Sequence, residues 1–134
     1  MFSKQISVFV ENKNGRLAEI LKVLKDSGVN LRALCLADTS NYGILRFIAN
    51  DTKKTQDVLK QNKMMFNVSD VITVKMQDEA GSLSNILSTL AQNNISVEYA
   101  YAFLSNNENE AMAVIRTNDD ALASGVLKEK GYYC

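Results

Sequence analysis

Apolar and polar residues follow the same succession of patterns twice along the chain. Each time, an alternating segment comes first, with apolar residues at every second position, as at Ile6, Val8 and Val10. Strict alternation predicts a strand that buries one face. An amphipathic segment follows, with apolar residues three and four apart, which is typical of a helix that packs one side on a core. In the first instance these residues are Leu17, Ile20, Leu21 and Leu24.

The remainder of the pattern predicts two more strands, a second helix and a closing strand. Gly28 favours the end of the first helix, because glycine adopts the left-handed conformation at low cost. Val29 to Ala37 and Gly43 to Ala49 are strand-like, and a polar turn over 38–41 separates them. Asn50-Asp51-Thr52 offers a cap for the second helix, and a short strand follows near residues 66–70. The order is therefore βαββαβ.

This order predicts an α+β fold. The right-handed crossover rule gives an antiparallel four-stranded sheet with both helices on one face, which is the ferredoxin-like arrangement. The pattern occurs twice because the sequence repeats itself. Residues 6–12 align with residues 72–78 at an offset of 66, and after a two-residue insertion Asn50-Asp51 aligns with Asn118-Asp119 at an offset of 68. We predict two ferredoxin-like copies, over residues 1–70 and 71–134.

The second copy ends early. Cys134 aligns with Phe66, where the closing strand of the first copy begins, so the final strand of the second copy is predicted to be short or missing. The segment from Val71 to Met76 would then form a partly unpaired edge. Apolar residues are also predicted on the sheet faces away from the helices, namely Phe9, Ile44, Ile48, Met112 and Val114. Both features favour a homodimer.

Composition limits the possible functions. The 134 residues include 15 Lys+Arg and 15 Asp+Glu, and the resulting net charge of zero argues against nucleic acid or an anionic membrane as a partner. There is no histidine, so the commonest general base and metal ligand are missing; we predict no metal and no cofactor. Two cysteines do not make a disulfide framework, and no apolar run approaches a membrane span. We expect a cytoplasmic protein.

Catalysis has little support among the residues that could perform it. Ser82 has no histidine to activate it, and the carboxylate pairs Asp78-Glu79 and Asp119-Asp120 precede predicted helices, where negative charge suits the helix dipole. Cys35 lies mid-strand between leucines and is interpreted as a small core residue. RNA-recognition motifs share the predicted fold, but Ile44 replaces the central stacking ring of their third strand. We therefore predict neither an enzyme nor an RNA-binding protein.

The loop between the first strand and first helix of each copy is the best candidate for a binding site. The first loop is Asn12-Lys13-Asn14-Gly15-Arg16-Leu17, and the second loop is Asp78-Glu79-Ala80-Gly81-Ser82-Leu83. Glycine permits close approach of the backbone, and the helix start offers free N–H groups to a carboxylate. Asn12 and Asp78 offer oxygen acceptors to an ammonium group. An equally plausible interpretation is that Asn12, Asn14 and Asp78 simply cap the helices.

Over essentially its whole length the repeat resembles a tandem pair of ACT domains, which are small regulatory modules that bind amino acids. The family's loop commonly reads Asn/Asp-x-x-Gly-x-Leu, with a polar residue fifteen positions after the glycine. The first copy has Asn12, Gly15 and Asn30 at these places, and the second has Asp78, Gly81 and Ser96. The family's frequent proline before the glycine is absent from both copies, and the second copy also lacks the turn glycine before its second strand.

The resemblance implies a function as well as a fold. ACT modules bind an amino acid where the loop of one module meets the second-strand start of a neighbouring module, so the chain is expected to be a non-catalytic sensor or regulatory subunit. It would regulate a separate metabolic enzyme. The implied ligand-binding residues are Asn12, Asn14, Gly15, Arg16, Leu17, Asn30, Leu31, Asp78, Gly81, Ser82, Leu83 and Ser96. The alternative is a structural or assembly module that controls a partner enzyme without a ligand.

Overall fold

Two units make up the chain, and the computed structural model describes them over residues 1–38 and 41–134. The first unit comprises Lys4–Ser69, and the second comprises Met1–Ser3 together with Asp70–Cys134. Two residues of the polar turn predicted over 38–41, residues 39 and 40, lie outside the described residues.

The first unit has the predicted order of elements. They are β1 (Phe2–Glu11), α1 (Arg16–Asp26), β2 (Leu31–Asp38), β3 (Tyr42–Ala49), α2 (Thr52–Gln61) and the start of β4 (Phe66–Gln77). Antiparallel pairing of β1 with β3 and of β3 with β2 gives the strand order β2-β3-β1-β4. The ferredoxin-like prediction is confirmed for this unit.

The core of the first unit lies where the alternation in β1 predicts it. Ile6, Val8 and Val10 are buried, whereas Phe9 between them is 43% exposed. The buried residues of α1 are Ile20 and Leu24, which is the predicted apolar side of that helix. Leu45, Phe47, Val58 and Leu59 complete the cluster.

The second unit repeats this architecture. Its elements are the later part of β4, then α3 (Ser82–Gln92), β5 (Val97–Leu104), β6 (Glu110–Thr117) and α4 (Asp120–Glu129). β4 pairs antiparallel with β6, and β6 pairs antiparallel with β5. A core cluster forms around Ile72, Val74, Ile86, Leu90, Ile115 and Leu127.

The edge of β4 in the second unit, predicted to be partly unpaired from Val71 to Met76, has backbone partners at two positions. The Thr73 N–H donates to the Met1 carbonyl at 2.8 Å, and the Lys75 N–H donates to the Tyr133 carbonyl at 2.8 Å. Thr73 Oγ1 also lies 3.0 Å from Ser3 Oγ and 3.3 Å from Cys134 Sγ. Residues distant from β4 in the sequence thus supply hydrogen bonds that a complete final strand of the second copy would make.

The predicted apolar faces are only partly exposed. Val114 pairs with Thr73, on the face away from the helices as predicted, but it is completely buried. Ile44, Ile48 and Met112 are half-buried. Among the residues predicted for these faces, Phe9 retains the largest exposed surface, so the exposed patch is smaller than alternation alone suggests.

The helices α1 to α4 end in the same way. Shortly after each helix one residue adopts a positive φ, and the next residue donates its N–H to the carbonyl of a leucine five positions earlier, which is the Schellman arrangement. The residues with positive φ are Gly28, Lys63, Asn94 and Gly131. The hydrogen bonds, at 2.9–3.0 Å, run from Val29 to Leu24, Met64 to Leu59, Ile95 to Leu90 and Tyr132 to Leu127. Each leucine is at most 1% exposed.

Deleting Phe2 and Ser3 is expected to destabilise the second unit selectively. Met1 would then take the place of Ser3, and the Thr73 N–H would lose its acceptor. Hydrogen exchange monitored by NMR should show faster exchange of the Thr73 amide. Amides that join β2 to β3 in the first unit should exchange as in the intact chain, and equal acceleration in both units would contradict the prediction.

Candidate functional site

The first loop and the second loop both begin a helix without a side-chain cap. Gly15 (φ 82°) precedes α1 and Gly81 (φ 92°) precedes α3, both in the left-handed conformation, and neither helix start has a side-chain cap hydrogen bond. By contrast, an oxygen of Asp51 caps α2 and an oxygen of Asp119 caps α4. The interpretation of Asn12, Asn14 and Asp78 as caps is therefore wrong. The Arg16 N–H donates to the Lys13 carbonyl at 3.2 Å and the Ser82 N–H to the Glu79 carbonyl at 3.3 Å, so the N–H groups left for an external acceptor are the next ones in each first turn.

Paired charges surround the first loop. Lys13 Nζ lies 2.9 Å from a carboxylate oxygen of Glu11, and Arg16 Nη1 lies 3.0 Å from one of Glu19. The hydrogen bond and charge of Lys13 hold the pKa of Glu11 below its ordinary value, so this carboxylate stays ionised. Asn14, Gly15 and Arg16 line an open concavity of about 400 Å³ beside these pairs.

Asn12 and Leu17 lie at a different recess, on the β2 side of the first loop. This recess of about 100 Å³ also includes Leu36 and Asp38 near the end of β2. The Asn12 N–H donates to the Asn41 carbonyl at 3.4 Å, and the Asn12 side chain is exposed. Asn12 therefore presents its amide group beside an apolar wall that is small and incomplete.

Asn30 and Leu31 lie at the opposite end of α1 from the first loop. The Asn30 N–H donates to Asn50 Oδ1 at 3.1 Å, and the Asn50 N–H donates to the Asn30 carbonyl at 3.0 Å. These bonds fix the backbone and leave the exposed Asn30 side chain without a hydrogen-bond partner in the described part of the chain. Because α1 has 11 residues, its ends are roughly 16 Å apart. One small ligand cannot contact both sets within this unit.

The predicted residues of the second unit have an equivalent arrangement. The Asp78 N–H donates to the Asn109 carbonyl at 2.8 Å, and Ser82 and Leu83 are half-buried in the first turn of α3. The Ser96 N–H donates to Asn118 Oδ1 at 3.0 Å, as Asn30 does to Asn50. Ser96 lies beyond the other end of α3, as Asn30 lies beyond α1.

The two loops differ in charge. The first loop contains the cations Lys13 and Arg16, whereas the second contains the anions Asp78 and Glu79. A carboxylate approaching the start of α3 would meet two like charges, while one approaching α1 would meet two cations that are each paired with a glutamate. The start of α1 is therefore the less repulsive of the two for an anion.

Sequence reasoning missed Leu36 and Asp38, which complete the recess beside Asn12. In the sequence, Arg32, Leu34, Leu36 and Asp38 occupy alternate positions, and the structure shows that all four are exposed. Without the register of β2, these residues could not be assigned to an edge next to the first loop.

Two further findings concern other classes of site. Within residues 1–38 and 41–134, no group of three His, Cys, Asp or Glu side chains is close enough to hold a metal ion. None of the helices in this part of the chain has the length and apolar content needed to cross a membrane.

Comparison with known proteins gives a consistent family. A family profile described as an ACT domain pair matches residues 1–133. The crystal structure of protein BT0572 from Bacteroides thetaiotaomicron is similar, with a TM-score of 0.90 and 39% identity over 98% of this chain and 90% of that chain. The ligand-free regulatory subunit of aspartate kinase from Thermus thermophilus has a TM-score of 0.67 and 10% identity, over 96% of this chain and 94% of that chain. No curated protein sequence matches significantly.

Removing Asn12 and removing a true cap should have different effects on stability. Asp51→Ala is expected to lower the free energy of unfolding by about 0.5–2 kcal/mol, because it removes the acceptor for the Lys54 N–H. Asn12→Ala should change it by no more than about 0.5 kcal/mol, because no cap bond is lost. Urea denaturation of the two variants measures both values. An equal loss in the two variants would show that Asn12 has a capping role after all.

Proposed function

Because the chain belongs to the family of ACT domain pairs, we propose that it is a cytoplasmic regulatory protein that binds an amino acid and has no catalytic activity of its own. The observation that carries the proposal is the uncapped start of α1, which has cations next to it and the exposed Asn12 amide nearby. A zwitterion needs both kinds of group. Its carboxylate suits the helix start, and its ammonium suits an amide oxygen.

Binding is assigned to the first unit. The first loop is cationic, and Asn30 supplies a free polar side chain at the start of β2, within the part of the chain that is described. In the second unit, the anionic loop opposes a carboxylate, and Ser96 offers a shorter polar side chain than Asn30. The second unit then serves mainly in assembly or in contact with the regulated enzyme, which we propose to be a separate chain. Similar proteins include regulatory subunits, which share the fold.

We also propose that two copies of the chain build each binding site. Within one unit, Asn12 and Asn30 are separated by the length of α1, so a ligand that contacts both needs Asn30 from a second chain. The recess beside Asn12 is incomplete on the β2 side, where Leu34 is 54% exposed and Leu36 is 45% exposed. A second copy docked along β2 would cover both leucines.

The residues of β2 are arranged symmetrically for such pairing. β2 is the outermost strand of the first unit. If two β2 strands run antiparallel about Cys35, Arg32 lies opposite Asp38 of the partner subunit, and Leu34 lies opposite Leu36 of the partner subunit. Opposite charges and apolar pairs facing each other across strands are stabilising. The same register carries Asn30 of the partner subunit toward the recess that contains Asn12.

A thermal-shift screen of the twenty amino acids tests the ligand. One or a few of the amino acids should raise the midpoint temperature of unfolding, since a ligand at about 100 times its Kd adds roughly 2.7 kcal/mol of stability. Asn12→Ala and Asn30→Ala should each abolish the shift, whereas the matched second-unit variants Asp78→Ala and Ser96→Ala should retain it. A shift that survives in both Asn variants would place the ligand elsewhere. The absence of any shift would favour the ligand-free assembly module.

A charge exchange tests the dimer. Arg32→Asp should weaken dimerisation, because the introduced carboxylate would face Asp38 of the partner subunit, and adding Asp38→Arg should restore it by reversing each pair. Sedimentation equilibrium at tens of micromolar protein measures the association. A monomeric wild type would refute the dimer, and a double variant no better than Arg32→Asp would refute the register.

A further inference from the structure

A third concavity in the first unit adjoins the recess beside Asn12, with which it shares Val10 and Glu11. It is a groove of about 490 Å³, within the size range of small-molecule sites, where the end of β1 passes the segment between α2 and β4. The lining residues that matter here are Phe9, Glu11, Arg16, Tyr42, Lys63, Met64 and Met65, of which Glu11 is an anion already paired with Lys13. We call it the aromatic groove.

Apolar side chains form most of its wall. The rings of Phe9 and Tyr42 lie 6.1 Å apart at an interplanar angle of 58°. Phe9 is 43% exposed, Tyr42 is 45% exposed and Met65 is 72% exposed. Two rings and an adaptable thioether facing solvent at one place offer contacts for an apolar ligand.

Backbone hydrogen bonds hold the groove in shape without a ligand. The Phe9 N–H donates to the Met65 carbonyl at 3.1 Å, which joins the two sides of the groove. The Met64 N–H donates to the Leu59 carbonyl at 3.0 Å, and Leu59 is fully buried. A preformed site binds with less loss of conformational entropy than one that must be ordered first.

Lys63 has an unusual backbone conformation for its residue type. Its φ is 55°, in the left-handed region, at the position that follows each helix and that glycine occupies after α1 and α4. A side chain with a Cβ is disfavoured there, and residues kept in strained conformations often serve a function. The Lys63 side chain is exposed and has no partner in the described part of the chain. Its ammonium group is therefore available beside the apolar wall.

The second unit provides an internal comparison. The Lys75 N–H donates to the Tyr133 carbonyl at the position where Phe9 donates to Met65 in the first unit, so the backbone pairing is the same. There, however, Lys75 lies over the Tyr133 ring at 5.7 Å, and the repeat places Gly131 where Lys63 stands. The fold thus does not require the rings or Lys63. They are specific to the first unit.

We propose that the aromatic groove binds a small carboxylate with an apolar body, such as an arylalkanoate. Phe9, Tyr42 and the two methionines contact the body, and Lys63 pairs with the carboxylate. Arg16 also lines the groove, but its Nη1 pairs with Glu19 at 3.0 Å, so Lys63 is the cation left for the carboxylate. The Nε of Arg16 is a buried donor with no hydrogen-bond partner in the described residues. Asn12 and Asn30 do not line the groove, so variants at these residues distinguish it from the proposed amino-acid site, although Arg16 lies at both.

Isothermal titration with 3-phenylpropionate tests the proposal, and the neutral 3-phenylpropan-1-ol is the matched probe. Wild type should bind one carboxylate per chain and bind the alcohol at least roughly tenfold more weakly, because the alcohol forms no ion pair. Lys63→Gly should raise the thermal midpoint by relieving the left-handed conformation, yet weaken carboxylate binding to the level of the alcohol. Asn94→Gly relieves the same conformation in the second unit and should raise the midpoint without changing binding.

Several outcomes would overturn the proposal. Undiminished binding to Lys63→Gly, or equal affinity for the alcohol and the carboxylate, would exclude the ion pair. No binding to wild type would exclude the site. Asn12→Ala should bind 3-phenylpropionate normally, so loss in this variant would mean that the probe occupies the amino-acid site, and the two proposals can fail separately.

Discussion

The way each helix ends determines where the rest of each unit lies. A buried leucine in the last turn accepts a hydrogen bond from a residue five positions later, and the residue between them with positive φ turns the chain back toward the sheet. Asn30 and Ser96 each come two residues after that turn, at the start of a strand. Loss of the leucine packing would therefore displace the strand starts as well as weaken the core. The positions of possible ligand contacts depend on the apolar interior.

Much of the fold could be predicted because its signals are local. Alternation placed Ile6, Val8 and Val10 in the core, and helical spacing placed Ile20 and Leu24 there. Features that depend on distant contacts were not predicted. The bond from Thr73 to Met1 joins residues far apart in sequence, and no periodicity reports such a partner. The burial of Val114 was missed for a related reason, since alternation assigns a face without saying what covers it.

The candidate site was less predictable than the fold. The residues Asn, Asp and Gly are typical both of helix caps and of ligand loops, so the sequence left both interpretations of Asn12 open. Only the backbone geometry at Gly15 separates them, because it shows the helix starting without a side-chain acceptor. Lys63 is the opposite case, because nothing in its residue type indicates its positive φ. Its selection as a candidate ligand contact depends on the backbone conformation in the structure.

The occupied edge of the second unit has a consequence for the order of folding during synthesis. The first unit is one continuous stretch, Lys4–Ser69. All the residues that pack and pair within it are therefore present once that stretch has left the ribosome. The second unit is discontinuous, because its β4 edge draws on Met1 and also on Tyr133. Contacts of such high sequence separation form slowly, because a long loop must close first. The second unit is thus the later one to complete, and its edge stays open to other strands until Tyr133 has emerged.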